Sequence, residues 1–311
     1  LIGLVGSEMC IRDRFIIMSK VNGIYAATLS VLSDDLSLNI KKTINHAENV
    51  MELGCHGVVF FGSTGQSQLI SLSDKIQMIN NLPGSQDKEK FIIGTGLNSL
   101  GDTINLMSIS LSNKLNKFLI MPPAYYKYQD DDVINFYSKI IEALPESEII
   151  LYNFEKLSGY VFSLECIEKL VSKFPKQIIG VKDSSYNLYK KLKIDNFSIM
   201  PGSEIKLLEG LSIGCSGIIT ATANVTASLA RNVYDDFVNK RDQTQNQKLC
   251  EVRSTFDKFN LISGLHTFLK SKDNNFKNLL PPLHLLPKDQ EHELKTLLKN
   301  LNFDIEIPRA A

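Results

Sequence analysis

The chain has 311 residues, 34 Lys+Arg against 34 Asp+Glu, five Cys and no Trp, with 43% hydrophobic and 22% charged residues. That is ordinary globular composition with ample material for a core, and zero net charge excludes the electrostatic footprint of a nucleic-acid binder. No apolar run reaches the roughly 20 residues that span a bilayer, and the odd, scattered Cys fit reduced thiols rather than a disulfide framework, so a cytoplasmic protein is expected.

Residues 1–17 are read as a non-native or disordered extension. LIGLVGSEMCIRDR at 1–14 matches nothing that follows and is similar to translated adapter sequence. It lacks the ordered basic, apolar and small-residue regions of a signal peptide, and Met18 is the expected start.

From Asn22 a short apolar run alternates with a longer stretch of helical spacing. The runs are Gly23–Leu32, Gly57–Phe61, Phe91–Gly94, Phe118–Met121, Ile149–Asn153, Ile178–Lys182, Ser198–Met200 and Gly217–Thr220. Between them, Leu38–Leu53 carries Ile40, Ile44, Ala47, Val50 and Met51 on one face, and Asp131–Ala143 and Leu164–Phe174 behave alike. Several runs are apolar throughout, as parallel strands covered on both faces should be. Eight βα units over residues 18–240 predict a (β/α)8 TIM barrel, with a doubly wound open sheet as the competitor. Residues 241–311 turn helical, with Gln247–Ile262 and Glu291–Leu301 flanking a Pro-containing stretch, and predict a C-terminal helical region packed on the barrel.

In such a barrel reactive groups sit at the C-terminal strand ends. Lys182 closes the run IIGVK, where burial favours the neutral amine that Schiff-base chemistry requires. The plainer reading is a lysine snorkelling into water. Tyr152 ends IILYN and could relay a proton, or be a core tyrosine with its hydroxyl satisfied. After Val58–Phe61 comes Gly62-Ser63-Thr64-Gly65. Its glycines permit close backbone approach and its successive N–H groups can cup a carboxylate, though it could equally be a plain turn. An amine, a phenol and an anion cup on one barrel face suit an enzyme that forms an imine with a 2-keto acid and draws an enamine from it without a metal.

FFGSTGQS at 60–67, GTGLNS at 94–99, MPPAYYK at 121–127, ILYN at 150–153, GVKDSS at 180–185, PGSE at 201–204 and GIITATANV at 217–225 stand in the order and spacing of one family. From Asn22 to Pro287 the chain resembles the dihydrodipicolinate synthase / N-acetylneuraminate lyase family of class I, Schiff-base pyruvate aldolases. The resemblance implies that Lys182 forms the imine and Tyr152 relays protons. It implies that Ser63 and Thr64, flanked by Gly62 and Gly65, bind the pyruvyl carboxylate, Thr64 joining the relay. Tyr125 matches an aromatic hydroxyl supplied by a neighbouring subunit, which implies a homotetramer built as a dimer of dimers. Ile219 stands where the family uses a backbone carbonyl near the keto acid, and Gly202 lies in the loop lining the pocket. No metal and no dissociable cofactor are implied; the partners are a keto acid and an aldehyde.

Departures bear on the substrate. Leu157 occupies the place of the arginine with which dihydrodipicolinate synthases bind the aldehyde's carboxylate, and cannot make that bidentate contact. Neighbouring Lys156 could substitute only as a point charge. Glu155 replaces a family proline, Gln66 a common Glu, and Leu29-Ser30 a common Thr-Pro. The Gly-Ser-acid triplet at 202–204, GTGLNS, GVKDS and the proline-containing tail are similar to the 2-keto-3-deoxy-sugar-acid aldolases, so that branch is favoured, with dihydrodipicolinate synthase as the alternative. A catalytically silent keto-acid binder is the rival from another class. It would need neither Lys182 nor Tyr152, and both are present.

Other clusters read as structural. Cys and His show no metal-ligand spacing. Asp130–Asp132 suit a helix N-cap and first turn, Asp183 should point away from Lys182, and Tyr189–Lys193 reads as a solvated helix face.

Overall fold

The computed structural model describes residues 21–82 and 87–305, so the expected extension at 1–17 lies outside the described residues. Eight parallel strands follow one another: β1 Gly23–Ala27, β2 Gly57–Phe60, β3 Phe91–Gly94, β4 Lys117–Ile120, β5 Glu148–Asn153, β6 Ile178–Asp183, β7 Ser198–Pro201 and β8 Gly217–Thr220. They pair in the order β7-β6-β5-β4-β3-β2-β1-β8. The open ends approach each other, with the Ser216 N–H donating to the Ile199 carbonyl at 3.0 Å. This is a TIM barrel, and the doubly wound sheet is excluded because β1 pairs with both β2 and β8.

Alternation along each strand builds two layers. Ala27, Val59, Ile92, Leu119, Ile150, Tyr152, Ile179, Met200 and Ile219 form one buried cluster with a contribution from every strand, which is the barrel interior. The intervening residues, among them Ile24, Val58, Ile93, Phe118, Leu151, Val181 and Ile218, pack outward on the helices. A register shift at Ile149/Ile150 opposes Ile178 to Ile149 but Gly180 to Ile150, and so turns Lys182 inward beside Tyr152.

Helices α1 Ile40–Glu52, α2 Leu72–Asn81, α3 Leu100–Ser112, α4 Asp130–Ala143, α5 Glu155–Ser158, α6 Leu164–Lys173, α7 Leu207–Ser212 and α8 Ala223–Val238 cover the barrel. Their starts follow the sequence. Asn39, Ser71, Ser99 and Ser163 each accept a first-turn backbone N–H. At α4 the N-cap is Gln129 and not an aspartate, with Asp132 closing the capping box.

Three expectations are corrected. The apolar run Gly23–Leu32 is strand only to Ala27. Beyond it the Leu29 N–H turns to Asn224 Oδ1 and the Val31 N–H to Thr43 Oγ1, both at 3.0 Å, so side chains replace the ladder while the residues stay buried. Residues 184–197, with the Lys-rich run, form turns and no helix. Asp183 organises them by accepting the Tyr186, Leu188 and Tyr189 N–H groups. The predicted helix Gln247–Ile262 is two helices, α9 Asn246–Phe256 and α10 Leu261–Lys270, because Asn260 caps the second by accepting from the Ser263 N–H at 3.1 Å. The last helix, α11, spans Lys288–Asn300.

Candidate active site

Lys182 and Tyr152 are register partners on β6 and β5. Both side chains are buried, and Lys182 Nζ stands 4.3 Å from the centroid of the Tyr152 ring. Tyr152 OH is 3.1 Å from Ser63 Oγ, which joins the strand-end phenol to the loop after β2. Among the described residues, Lys182 Nζ has no hydrogen-bond or ion-pair partner. An amine held against a ring face rather than by a carboxylate keeps its lone pair available once deprotonated. Asp183, next along the strand, faces the other way and is locked by Asn153 Nδ2 at 2.8 Å, as its structural reading required.

The loop Gly62–Gly65 is a single 3-10 turn at Ser63–Gly65. Gly65 and Gln66 spend their N–H groups on the Gly62 and Ser63 carbonyls. The Ser63 and Thr64 N–H groups have no acceptor among the described residues, the state an anion cup requires. The two glycines are unequal. A Cβ on Gly65 would sit 2.7 Å from the Thr28 carbonyl oxygen, whereas one on Gly62 would meet nothing closer than Ala27 Cβ at 3.6 Å. Close approach therefore demands glycine at 65 and not at 62.

Two of the departures hold this loop. Ser30 donates its hydroxyl to the Gly65 carbonyl at 2.7 Å, a bond no proline there could make. Gln66 Oε1 accepts the Leu280 N–H at 2.7 Å and ties the loop to the C-terminal region. Behind it, fully buried Lys75 donates to the Thr95 carbonyl at 2.8 Å, and desolvation pulls its pKa down to about 8.

Ile219 is buried in the barrel interior with Tyr152 and Met200. Gly202 follows β7, where a Cβ would strike Ser184 Oγ at 2.3 Å. Leu157 lies in the short helix α5 at the mouth, 41% exposed, with Glu155 and Lys156 exposed beside it. Tyr125 is the outlier. It is 90% exposed, has φ +87° and stacks edge-on with Tyr126, so the chain does not bring it to its own Tyr152. A non-glycine residue at such φ carries strain that surroundings must hold. Here the Ala124 N–H binds Asn98 Oδ1 and the Tyr128 hydroxyl binds the Pro123 carbonyl.

Sequence reasoning missed a buried polar network beside the site. Glu204, third of the Gly-Ser-acid triplet, is fully buried and bonded to Thr220, Thr226 and Arg253. Arg253 comes from α9; burial works against its charge, but Glu204 and Asp257 outweigh that and hold it protonated. Its signal was a charged residue within the apolar stripe Leu249, Val252, Phe256. Among the described residues no group of three or more His, Cys, Asp or Glu could hold a metal ion, and no helix is long and apolar enough to cross a membrane.

The model of the dihydrodipicolinate synthetase family matches residues 20–301. A DapA-like lyase of Chloroflexus aurantiacus, itself uncharacterised, is 28% identical over 81% of this chain and 87% of its own length. A 4-hydroxy-tetrahydrodipicolinate synthase of Methanopyrus kandleri is 29% identical over 70% of this chain and 74% of its own. The crystal structure of dihydrodipicolinate synthase from Agrobacterium tumefaciens superposes with a TM-score of 0.82 at 21% identity, covering 90% of this chain and 99% of that one. At that identity the superposition speaks to the fold alone.

Proposed function

The chain belongs to the dihydrodipicolinate synthetase family, and from that premise we propose that it joins or releases pyruvate and an aldehyde through a lysine imine. The observation that carries this reading is the pairing of Lys182 with Tyr152 and of Tyr152 with Ser63. The Lys182 amine attacks the keto carbon, and loss of the former carbonyl oxygen as water leaves the protonated imine. The Ser63 and Thr64 N–H groups hold the carboxylate. Removal of a C3 proton gives the enamine, whose C3 attacks the aldehyde carbon in synthesis; cleavage runs the same steps backwards. Tyr152, through Ser63 and Thr64, carries the protons, and Tyr125 of a second subunit completes the relay in a tetramer built of two dimers. No metal and no dissociable cofactor take part.

For the aldehyde side, the finer proposal is cleavage of a 2-keto-3-deoxy sugar acid. It draws support from Leu157, which offers no bidentate carboxylate contact, and from the half-buried hydroxyls Ser184 and Ser185 at the end of β6. Glu204 lends nothing to it, since both its oxygens are already bonded. The second reading is 4-hydroxy-tetrahydrodipicolinate synthase, favoured by the name of the Methanopyrus relative. Pyruvate release from a 2-keto-3-deoxy sugar acid, measured against pyruvate consumption with a carboxylate-bearing aldehyde, separates them. Release alone supports the first, consumption alone the second, and neither turnover nor imine formation would leave a silent binder.

A further inference from the structure

The sheet order begins at β7 and ends at β8, so the barrel has a seam between them. Among the described residues one backbone hydrogen bond crosses it, from the Ser216 N–H to the Ile199 carbonyl, near the N-terminal end of β8. Pro201 ends β7 and has no N–H with which to extend the pairing toward the catalytic face. There, side chains take over.

Thr220, the last residue of β8, donates its hydroxyl to Glu204 Oε2 at 2.8 Å, and Thr226 of α8 donates to Oε1 at 3.1 Å. Glu204 opens the turn two residues after Gly202. Into this junction α9 inserts Arg253. Its Nη1 lies 3.1 Å from Glu204 Oε2 and 3.0 Å from Thr220 Oγ1, while Nε binds both oxygens of Asp257 at 2.9 and 3.0 Å. One guanidinium from outside the barrel thus joins the two strand ends that flank the seam. Its planar fork suits the task, because a single rigid group bonds acceptors on two elements while anchored to its own helix.

We propose that Arg253 is a positioning residue. By drawing Glu204 and Thr220 together it closes the barrel at the catalytic end of the seam, and so fixes Gly202 and the Ile219 carbonyl against the bound keto acid. Ile219 immediately precedes Thr220 and Gly202 is two residues from Glu204, so loosening the junction moves both pocket walls. This rests on the pyruvate-imine reading above. It gives the C-terminal helices a part in the site beyond packing on the barrel.

The test needs pyruvate alone. Enamine formation exchanges its methyl protons for deuterium in D2O, followed by NMR as a function of pyruvate concentration. Arg253→Met alone would strand a buried carboxylate and is expected to unfold the chain, so the informative variant is the double Arg253→Met/Glu204→Gln, which removes both charges at similar volume. It is expected to melt within a few degrees of the parent, yet to need about tenfold more pyruvate for half-saturation and to exchange at least about tenfold more slowly. Thr220→Val keeps the ion pair but cuts one arm, for an expected loss of about fivefold. A folded double variant with unchanged half-saturation and rate overturns the proposal. If the double variant does not fold, unchanged exchange in Thr220→Val overturns it in its place. Wild-type protein that leaves the methyl protons unexchanged overturns instead the imine reading, and does so before any variant is compared.

Discussion

Lys182 and Tyr152 face each other across β5 and β6, with the amine 4.3 Å from the centre of the ring. The contact exists because a register shift near the start of β6 turns Lys182 to the same side as Tyr152. The phenol is thereby held by the ring's own packing, and its hydroxyl is left to Ser63.

Tyr152→Phe should therefore keep the fold, since only one hydroxyl contact is lost. Proton transfer should suffer, with turnover falling about 10²- to 10⁴-fold while an imine can still be trapped. Ser63→Ala removes the other end of the same bond and should cost less, about tenfold. Steady-state rates alongside borohydride trapping measure the two effects. Equal turnover in Tyr152→Phe and wild type would remove the relay role.

The solvent-facing Tyr125 calls for a two-subunit test. Tyr125→Phe and Lys182→Ala should each be impaired alone. Mixed and reassembled, they should recover part of the wild-type activity, because a Lys182→Ala subunit still offers Tyr125 to its neighbour. No recovery in verified hybrids would return Tyr125 to a surface role.

The loop glycines should separate cleanly. Gly65→Ala places a methyl 2.7 Å from the Thr28 carbonyl and should cost about 1–3 kcal/mol, with loss of pyruvate binding. Gly62→Ala meets ordinary contact at 3.6 Å and should be tolerated. Denaturant melts and pyruvate titration of the two variants check this, and the reverse order would contradict the geometry.

Acid should weaken the fold through two buried histidines. Desolvation pushes both His46 and His266 down to about 4 from an ordinary 6.5. His46 Nε2 lies 2.8 Å from Asn224 Oδ1, and His266 Nδ1 lies 3.1 Å from the Phe276 carbonyl. The unfolded chain binds these protons first, so stability is full above pH 6.5 and declines as pH falls from there toward 4. The loss is at most about 3 kcal/mol apiece. Unfolding free energies at pH 7 and pH 4.5 measure it, and His266→Gln should flatten the slope. An equally steep slope in that variant would assign the acid sensitivity elsewhere.

The eight strands were legible because parallel strands buried on both faces are mostly apolar, and each strand left a short apolar run. Residues 28–32 misled for the same reason. They are buried and carry Leu29, Val31 and Leu32, but the Leu29 and Val31 N–H groups go to Asn224 and Thr43, 195 and 12 residues away, a pairing no local pattern reveals. Tyr189–Lys193 has the spacing of a helix, yet Asp183 takes the Tyr186, Leu188 and Tyr189 N–H groups and bends the chain into turns at its start. Lys182 and Tyr152 stood out as polar groups closing apolar runs. Arg253 was harder to read: its place in the stripe Leu249, Val252, Phe256 set it on the buried face, but nothing local to α9 shows that its partner is Glu204, 49 residues away.

The central claim is that Lys182 forms the covalent bond to the keto acid. Incubation of the protein with pyruvate and borohydride, followed by mass spectrometry and peptide mapping, tests it directly. The account predicts a reduced pyruvyl adduct on the peptide that carries Lys182, lost in Lys182→Ala. Folded protein with no adduct on any lysine, or with the adduct on another lysine alone, would contradict it.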